Sequence, residues 1–183
     1  MGMAHEKLGW FHTKRRLGDR SIEQQMEGLD RLVQAVPGKT VLDIGCAEGL
    51  ITARLIDAGA IAGHGVEIIA SHVKTANKIR KGRAINFEIG DANNWQPKRQ
   101  YDIVIMLAVL HKLRDPSEAT KRFADTAREL VVIRLPPSGS LVLDERSDFV
   151  PHDIEIAMTE AGWCLDEVVR GPIDEWVGYF LKA

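Results

Sequence analysis

The ten residues Val41-Leu42-Asp43-Ile44-Gly45-Cys46-Ala47-Glu48-Gly49-Leu50 confine this chain to few folds. They read as a buried strand passing through a small-residue turn into a helix. In open α/β sheets a ligand sits beyond the carboxyl end of such a strand. Small residues let it approach the backbone, and the helix start offers unpaired N–H groups. The glycine spacing is GxxxG, not the GxGxxG that cradles a dinucleotide pyrophosphate. Asp43, just before the glycines, suits a cationic ligand group better than a pyrophosphate.

Around this run the chain alternates. Strands are predicted at Thr40–Ile44, Ile61–Ile68, Ala84–Ile89, Tyr101–Met106 and Glu129–Leu135, and helices at Leu50–Ala58, His72–Lys81 and Pro116–Leu130. The last of these helices has Asp115 as N-cap, proline at its first position and Glu118 to complete a box. Strand–helix–strand at these lengths gives right-handed βαβ units and a mostly parallel sheet. Upstream, Ile22, Met26, Leu29, Val33 and Val36 share one helical face, predicting one helix over Ser21–Val36 that is capped by Ser21 and Gln24 and ended by Pro37-Gly38. Downstream, a helix near Asp153–Ala161 leads to strands at Leu165–Val169 and Gly178–Lys182. Their connection is too short for a parallel crossover, so they pair antiparallel. No repeat or linker divides the sequence. The expectation is one domain over 1–183, with an N-terminal arm and helix over 1–36 and a core over 40–183.

Composition narrows the function classes. A formal charge of -2 argues against a nucleic-acid-coating surface, and the basic run Lys14, Arg15, Arg16 with Arg20 reads most simply as a solvated face. Cys46 and Cys164 form no CxxC pair and the six histidines have no metal-ligand spacing, so no metal site is expected. No apolar stretch is long enough to span a bilayer, and the start resembles neither a secretory signal nor a myristoylation site. A cytoplasmic location is the expectation.

Two further acids mark strand ends. Glu67 closes Gly65-Val66-Glu67 about twenty residues past the glycine turn, where doubly wound folds place a carboxylate on ribose hydroxyls. Asp91, in Ile89-Gly90-Asp91-Ala92, could accept from an adenine amine beside a backbone N–H. The fourth strand, Tyr101-Asp102-Ile103-Val104-Ile105-Met106, runs into Leu107, Ala108 and then Leu110-His111.

Taken in order, DIGCAEG, GVEI, IGDA and YDIVIMLAVLHKLRDP resemble the successive motifs of class I S-adenosylmethionine-dependent methyltransferases, over roughly Thr40 to Leu135. The resemblance implies an α/β fold with a doubly wound, mostly parallel seven-stranded sheet ending in the antiparallel hairpin. It implies S-adenosyl-L-methionine as cofactor and S-adenosyl-L-homocysteine as product. Cofactor-binding roles pass to Asp43, Gly45, Cys46, Ala47, Gly49, Glu67, Asp91, Ala92 and Leu107. Ala47 stands where that family commonly has glycine, so close approach there needs a backbone angle that alanine tolerates.

LAVLHKLRDP is similar to the segment after the fourth strand in small-molecule and quinone-type methyltransferases. His111 is therefore the candidate general base, against a plain structural role. No NPPY or DPPY follows the fourth strand, and Met106-Leu107-Ala108 occupies the place of the ribose-methylating aspartate. The expected acceptor is an oxygen, nitrogen or carbon nucleophile on a small molecule. RNA or protein acceptors, a partner subunit completing the substrate site, and a non-catalytic subunit are the alternatives. Trp10, Arg15, Arg16 and Arg20 are the candidate substrate and lid residues. One of the arginines is expected to reach the methionine carboxylate of the cofactor.

Overall fold

The computed structural model describes residues 21–137 and 150–183. Its sheet has seven strands in the order β3-β2-β1-β4-β5-β7-β6. These are β1 Thr40–Ile44, β2 Ala62–Glu67, β3 Ile85–Ile89, β4 Tyr101–Leu107, β5 Ala127–Leu135, β6 Trp163–Arg170 and β7 Trp176–Lys182. β1 to β5 pair parallel, while β7 inserts antiparallel between β5 and β6. Chain order reverses at β1–β4, so the ends of those two strands flank a crevice where ligands bind in such sheets.

Both faces of the sheet are covered, which explains why the central strands are continuously apolar. On β4 and β5, Val104, Met106, Val131 and Ile133 point to one layer. Ile103, Ile105, Leu130 and Val132 point to the other. The first layer is completed by α5 (Pro116–Ala124) and α6 (Pro151–Glu160), and the second by α1 (Ile22–Met26), α2 (Asp30–Ala35) and α3 (Leu50–Asp57). A third cluster joins α3, α4 (Ala70–Ile79) and β3 through Ala53, Val73, Ala76 and Phe87.

Two sequence expectations are corrected. The helix over Ser21–Val36 is two short helices, broken at Glu27-Gly28. The Ser21–Gln24 capping box does form. The break follows from Gly28, whose φ of +75° takes the chain out of the helix, and a Cβ there would lie 2.8 Å from the Arg170 carbonyl oxygen. Tyr179 Oη donates to Gly28 O at 2.6 Å and holds the bend against the sheet. The helix from Pro116 stops at Ala124, not near Leu130. The Thr126 amide and hydroxyl both donate to Phe123 O, and Ala127 is already paired with Tyr101. Burying Leu130 to Leu135 in the sheet outweighs continuation of the helix. At its start, Asp115 accepts from the Glu118 amide at 2.8 Å, as expected of an N-cap.

Candidate ligand-binding site

A cavity of about 310 Å³ opens over the carboxyl ends of the parallel strands. Its floor begins at the turn after β1. Gly45, Ala47 and Gly49 all have left-handed φ, at +75°, +47° and +74°. Alanine pays about 1–2 kcal/mol for that conformation, so Ala47 keeps the close-approach geometry at an energetic cost. Gly45, Cys46 and Ala47 line the cavity. Gly49 does not. It stands at the start of α3, where a Cβ would fall 2.4 Å from the Phe87 ring. Its smallness serves packing behind the turn.

Three acids at successive strand ends face this space: Asp43, Glu67 and Asp91. Asp43 is buried and accepts from the Thr52 hydroxyl at 2.6 Å. Burial pushes its carboxyl up to about 7; the nearby Glu67 charge adds to the rise, while the Thr52 hydrogen bond and the Arg134 charge lower it without cancelling it. A buried acid poised there favours a cationic neighbour, since a positive charge restores its ionised form. Glu67 links two loops: one oxygen accepts from the Ala47 amide at 3.0 Å, the other from the Ile69 amide at 2.9 Å. A carboxylate offers about four acceptor positions, so two more hydrogen bonds are open to a ligand. Asp91 accepts from the Asn93 amide and side chain, and the amide bond above all holds its carboxyl below the usual range. Ala92 lines the cavity beside it, and its carbonyl accepts from Arg122 Nη2 at 2.7 Å. Arg122 fixes this loop, a role nothing in the local sequence announced.

Across the crevice, Leu107 and Ala108 at the end of β4 complete the wall. Beyond them lie Arg134, Glu175 and Gln25, which also line the cavity and which the motifs did not identify. Arg134 is the single charge in the apolar end of β5 (Leu-Val-Val-Ile-Arg-Leu), and that isolation is the signal that could have found it. Glu175, in a polar turn, carried no signal.

His111 stands on a 3₁₀ turn, Leu110–Lys112, and is buried. Val109, Lys112 and Leu113 line the cavity, but His111 is not among its lining residues. Trp10, Arg15, Arg16 and Arg20 lie outside the described residues. Among the described residues no group of three His, Cys, Asp or Glu side chains is placed to hold a metal ion. None of their helices is long and apolar enough to cross a membrane.

Comparison with known proteins matches this geometry to one family. Residues 15–168 match the family described as "Methyltransferase domain". A ubiquinone biosynthesis O-methyltransferase of Shewanella sp. (strain ANA-3) is 25% identical over 104 residues, covering 55% of this chain. The match spans 44% of that relative's length, less than half of it. Magnesium protoporphyrin IX methyltransferase from Synechocystis PCC 6803, crystallised with S-adenosylmethionine, superposes with a TM-score of 0.72 at 20% identity, covering 88% of this chain and 80% of that one. A chain from the complex of the Haloferax volcanii Trm112 methyltransferase activator with a methyltransferase gives a TM-score of 0.73 at 13% identity, over 88% and 90% of the two chains. Those two likenesses establish the seven-stranded fold.

Proposed function

This chain belongs to the methyltransferase domain family, and from that premise we propose that it moves the methyl group of S-adenosyl-L-methionine to an oxygen, nitrogen or carbon nucleophile on a small molecule, releasing S-adenosyl-L-homocysteine. The observation that carries the reading is one cavity in which Asp43, Glu67 and Asp91, from three successive strand ends, face the left-handed turn at Gly45. The donor and acceptor set suits this cofactor. The two open positions on Glu67 fit ribose hydroxyls, Asp91 with the Ala92 backbone fits an adenine edge, and Asp43 fits a cationic group. The cofactor supplies an electrophilic sulfonium methyl. The protein's own share is to align the acceptor with it and to exclude water.

A small-molecule acceptor is supported by the Shewanella and Synechocystis proteins, whose names specify ubiquinone biosynthesis and magnesium protoporphyrin IX. The likeness to a chain of the Trm112 complex favours a second reading, in which a partner subunit completes the substrate site. We assign the reaction to the cytoplasm on the two free cysteines, Cys46 and Cys164, with residues 1–183 acting as one domain.

Calorimetry with S-adenosylmethionine, S-adenosylhomocysteine and NAD tests the cofactor, and labelled-methyl transfer to small molecules, RNA and protein fractions tests the acceptor. Binding of the first two ligands and label in the small-molecule fraction are expected. Binding of NAD alone would sink the reading. Cofactor binding with no transfer until a partner protein is added would favour the second one.

A further inference from the structure

A buried ion pair lies on the β5–β7 side of the cavity, where the Arg134 charge also acts on Asp43. Arg134 Nη1 lies 3.5 Å from Glu175 Oε2, and both side chains are 2% exposed. The pairs made by Arg31, Lys39, Arg83 and Lys121 lie at the surface by contrast. Burying both charges is unfavourable unless their surroundings use them, and apolar residues of similar size would often stabilise the fold as well or better. Here the pair lines the cavity, with Arg134 opposite Leu107 in the β4–β5 register and so across β4 from the strands that carry Glu67 and Asp91.

Both partners are held firmly. Arg134 sits on β5 two residues after Val132 and faces the α1 side of the sheet, where Nη1 and Nη2 each donate to Gln25 O at 3.0 Å. Glu175 closes the β6–β7 connection. Its amide donates to Pro172 O at 3.1 Å and its carbonyl accepts from the Gly171 amide at 2.9 Å. Within that turn Ile173 and Asp174 both take left-handed φ, +48° and +65°, a conformation that Asp tolerates but that is strongly disfavoured for the β-branched Ile173. Strained backbone persists where the surrounding structure demands one placement of a residue. The residue so placed is Glu175.

We propose that Arg134 and Glu175 form the acceptor subsite of the methyltransferase reading above, on which this inference rests, and that the acceptor group they select is a hydroxyl. A guanidinium only donates hydrogen bonds and a carboxylate only accepts them. A hydroxyl satisfies both at once, accepting from Arg134 and donating to Glu175. A carboxylate ligand would oppose Glu175, and an ammonium would oppose Arg134. In the transfer, a hydroxyl-oxygen lone pair forms the new O–CH₃ bond. The S–CH₃ bond breaks with its electrons passing to sulfur, and the hydroxyl proton passes to the Glu175 carboxylate. Arg134 steadies the negative charge that develops on the oxygen. Glu175 is then a catalytic residue, and Arg134 a catalytic and orienting one.

The test incubates the full chain and labelled S-adenosylmethionine with separate equimolar pools of alcohols and phenols, carboxylates, amines and thiols, and with RNA and protein fractions. The same small-molecule pools are screened for binding to the S-adenosylhomocysteine complex by saturation-transfer NMR. Label and NMR contacts are expected in the hydroxyl pool. Glu175→Gln, which keeps the shape but accepts no proton, should lower kcat at least a hundredfold with KM and S-adenosylhomocysteine affinity each within about threefold. Arg134→Lys, which keeps the charge but loses the fork, should raise KM for the hydroxyl acceptor at least tenfold. The inference is overturned by label confined to any other pool, by no label despite S-adenosylhomocysteine binding, or by a Glu175→Gln protein that only melts lower while keeping kcat. A wild-type chain that fails to bind S-adenosylhomocysteine would overturn the methyltransferase reading itself. Should Arg134→Lys not fold, the hydroxyl preference in the NMR screen and the kcat of Glu175→Gln still decide the matter.

Discussion

Glu67 is placed to serve the fold and the candidate site together. Its two oxygens hold the amides of Ala47 and Ile69, so it shapes the cavity wall it belongs to. Replacement by alanine leaves both amides without that acceptor, at about 1–3 kcal/mol each where they stay buried. Glu67→Ala should therefore lower the thermal midpoint and weaken S-adenosylhomocysteine at least tenfold by calorimetry. Affinity within twofold of wild type would remove Glu67 from the cofactor site. His111 offers the opposite contrast. Its burial on the 3₁₀ turn, outside the lining residues though between Val109 and Lys112 that belong to them, predicts that His111→Ala costs stability, about 1–3 kcal/mol for a truncated buried polar residue. A melting temperature equal to wild type, with turnover down 10²–10⁴-fold, would restore the histidine as the base.

At the scale of elements, the sequence specified what local chemistry controls and missed what distant packing controls. β1 was legible to the residue, because an apolar run is bounded by Pro37-Gly38 and Gly45. The β6–β7 hairpin was legible from loop length alone. The break between α1 and α2 was not. The apolar spacing of Ile22, Met26, Leu29 and Val33 continues through Gly28, while the reason for the break lies at Arg170 and Tyr179, over 140 residues on. The Arg134–Glu175 pair was hidden for a similar cause, since only the antiparallel register of β7 on β5 brings the two residues together. Gly28→Ala tests the bend. It forces a left-handed alanine and a 2.8 Å contact with backbone, so a loss of about 2 kcal/mol or more is expected. For a chain of this size that is roughly 4–8 °C. An unchanged melting temperature would show that the α1–α2 bend does not depend on glycine.

For the molecule as a whole, the candidate ligand cavity is also a source of instability, and Asp43 measures how much. Its carboxyl is raised from an ordinary value near 4 to about 7, which corresponds to about 4 kcal/mol. Below about pH 4 it is protonated in both the folded and unfolded states and costs nothing. Between about 4 and 7 the unfolded chain ionises first, so stability falls as pH rises, and above 7 the loss is complete. Asp57, Asp91 and Asp102 act in the other direction. Their folded carboxyls are held low, so they add stability above their unfolded range and lose it in acid. The clean measurement is therefore a difference, taken by urea denaturation of wild type and Asp43→Asn between pH 5 and 8. The advantage of Asp43→Asn should grow up to about pH 7 and then level. A cationic ligand group beside Asp43 would reverse the cost by favouring its ionised form. S-adenosylhomocysteine should then bind wild type more tightly as pH rises toward 7, with proton release detectable by calorimetry in buffers of different ionisation enthalpy. Asp43→Asn should abolish both effects. Parallel pH profiles for the two proteins would mean that Asp43 does not change its ionisation between pH 5 and 8, which would overturn the raised carboxyl and the proton release on binding.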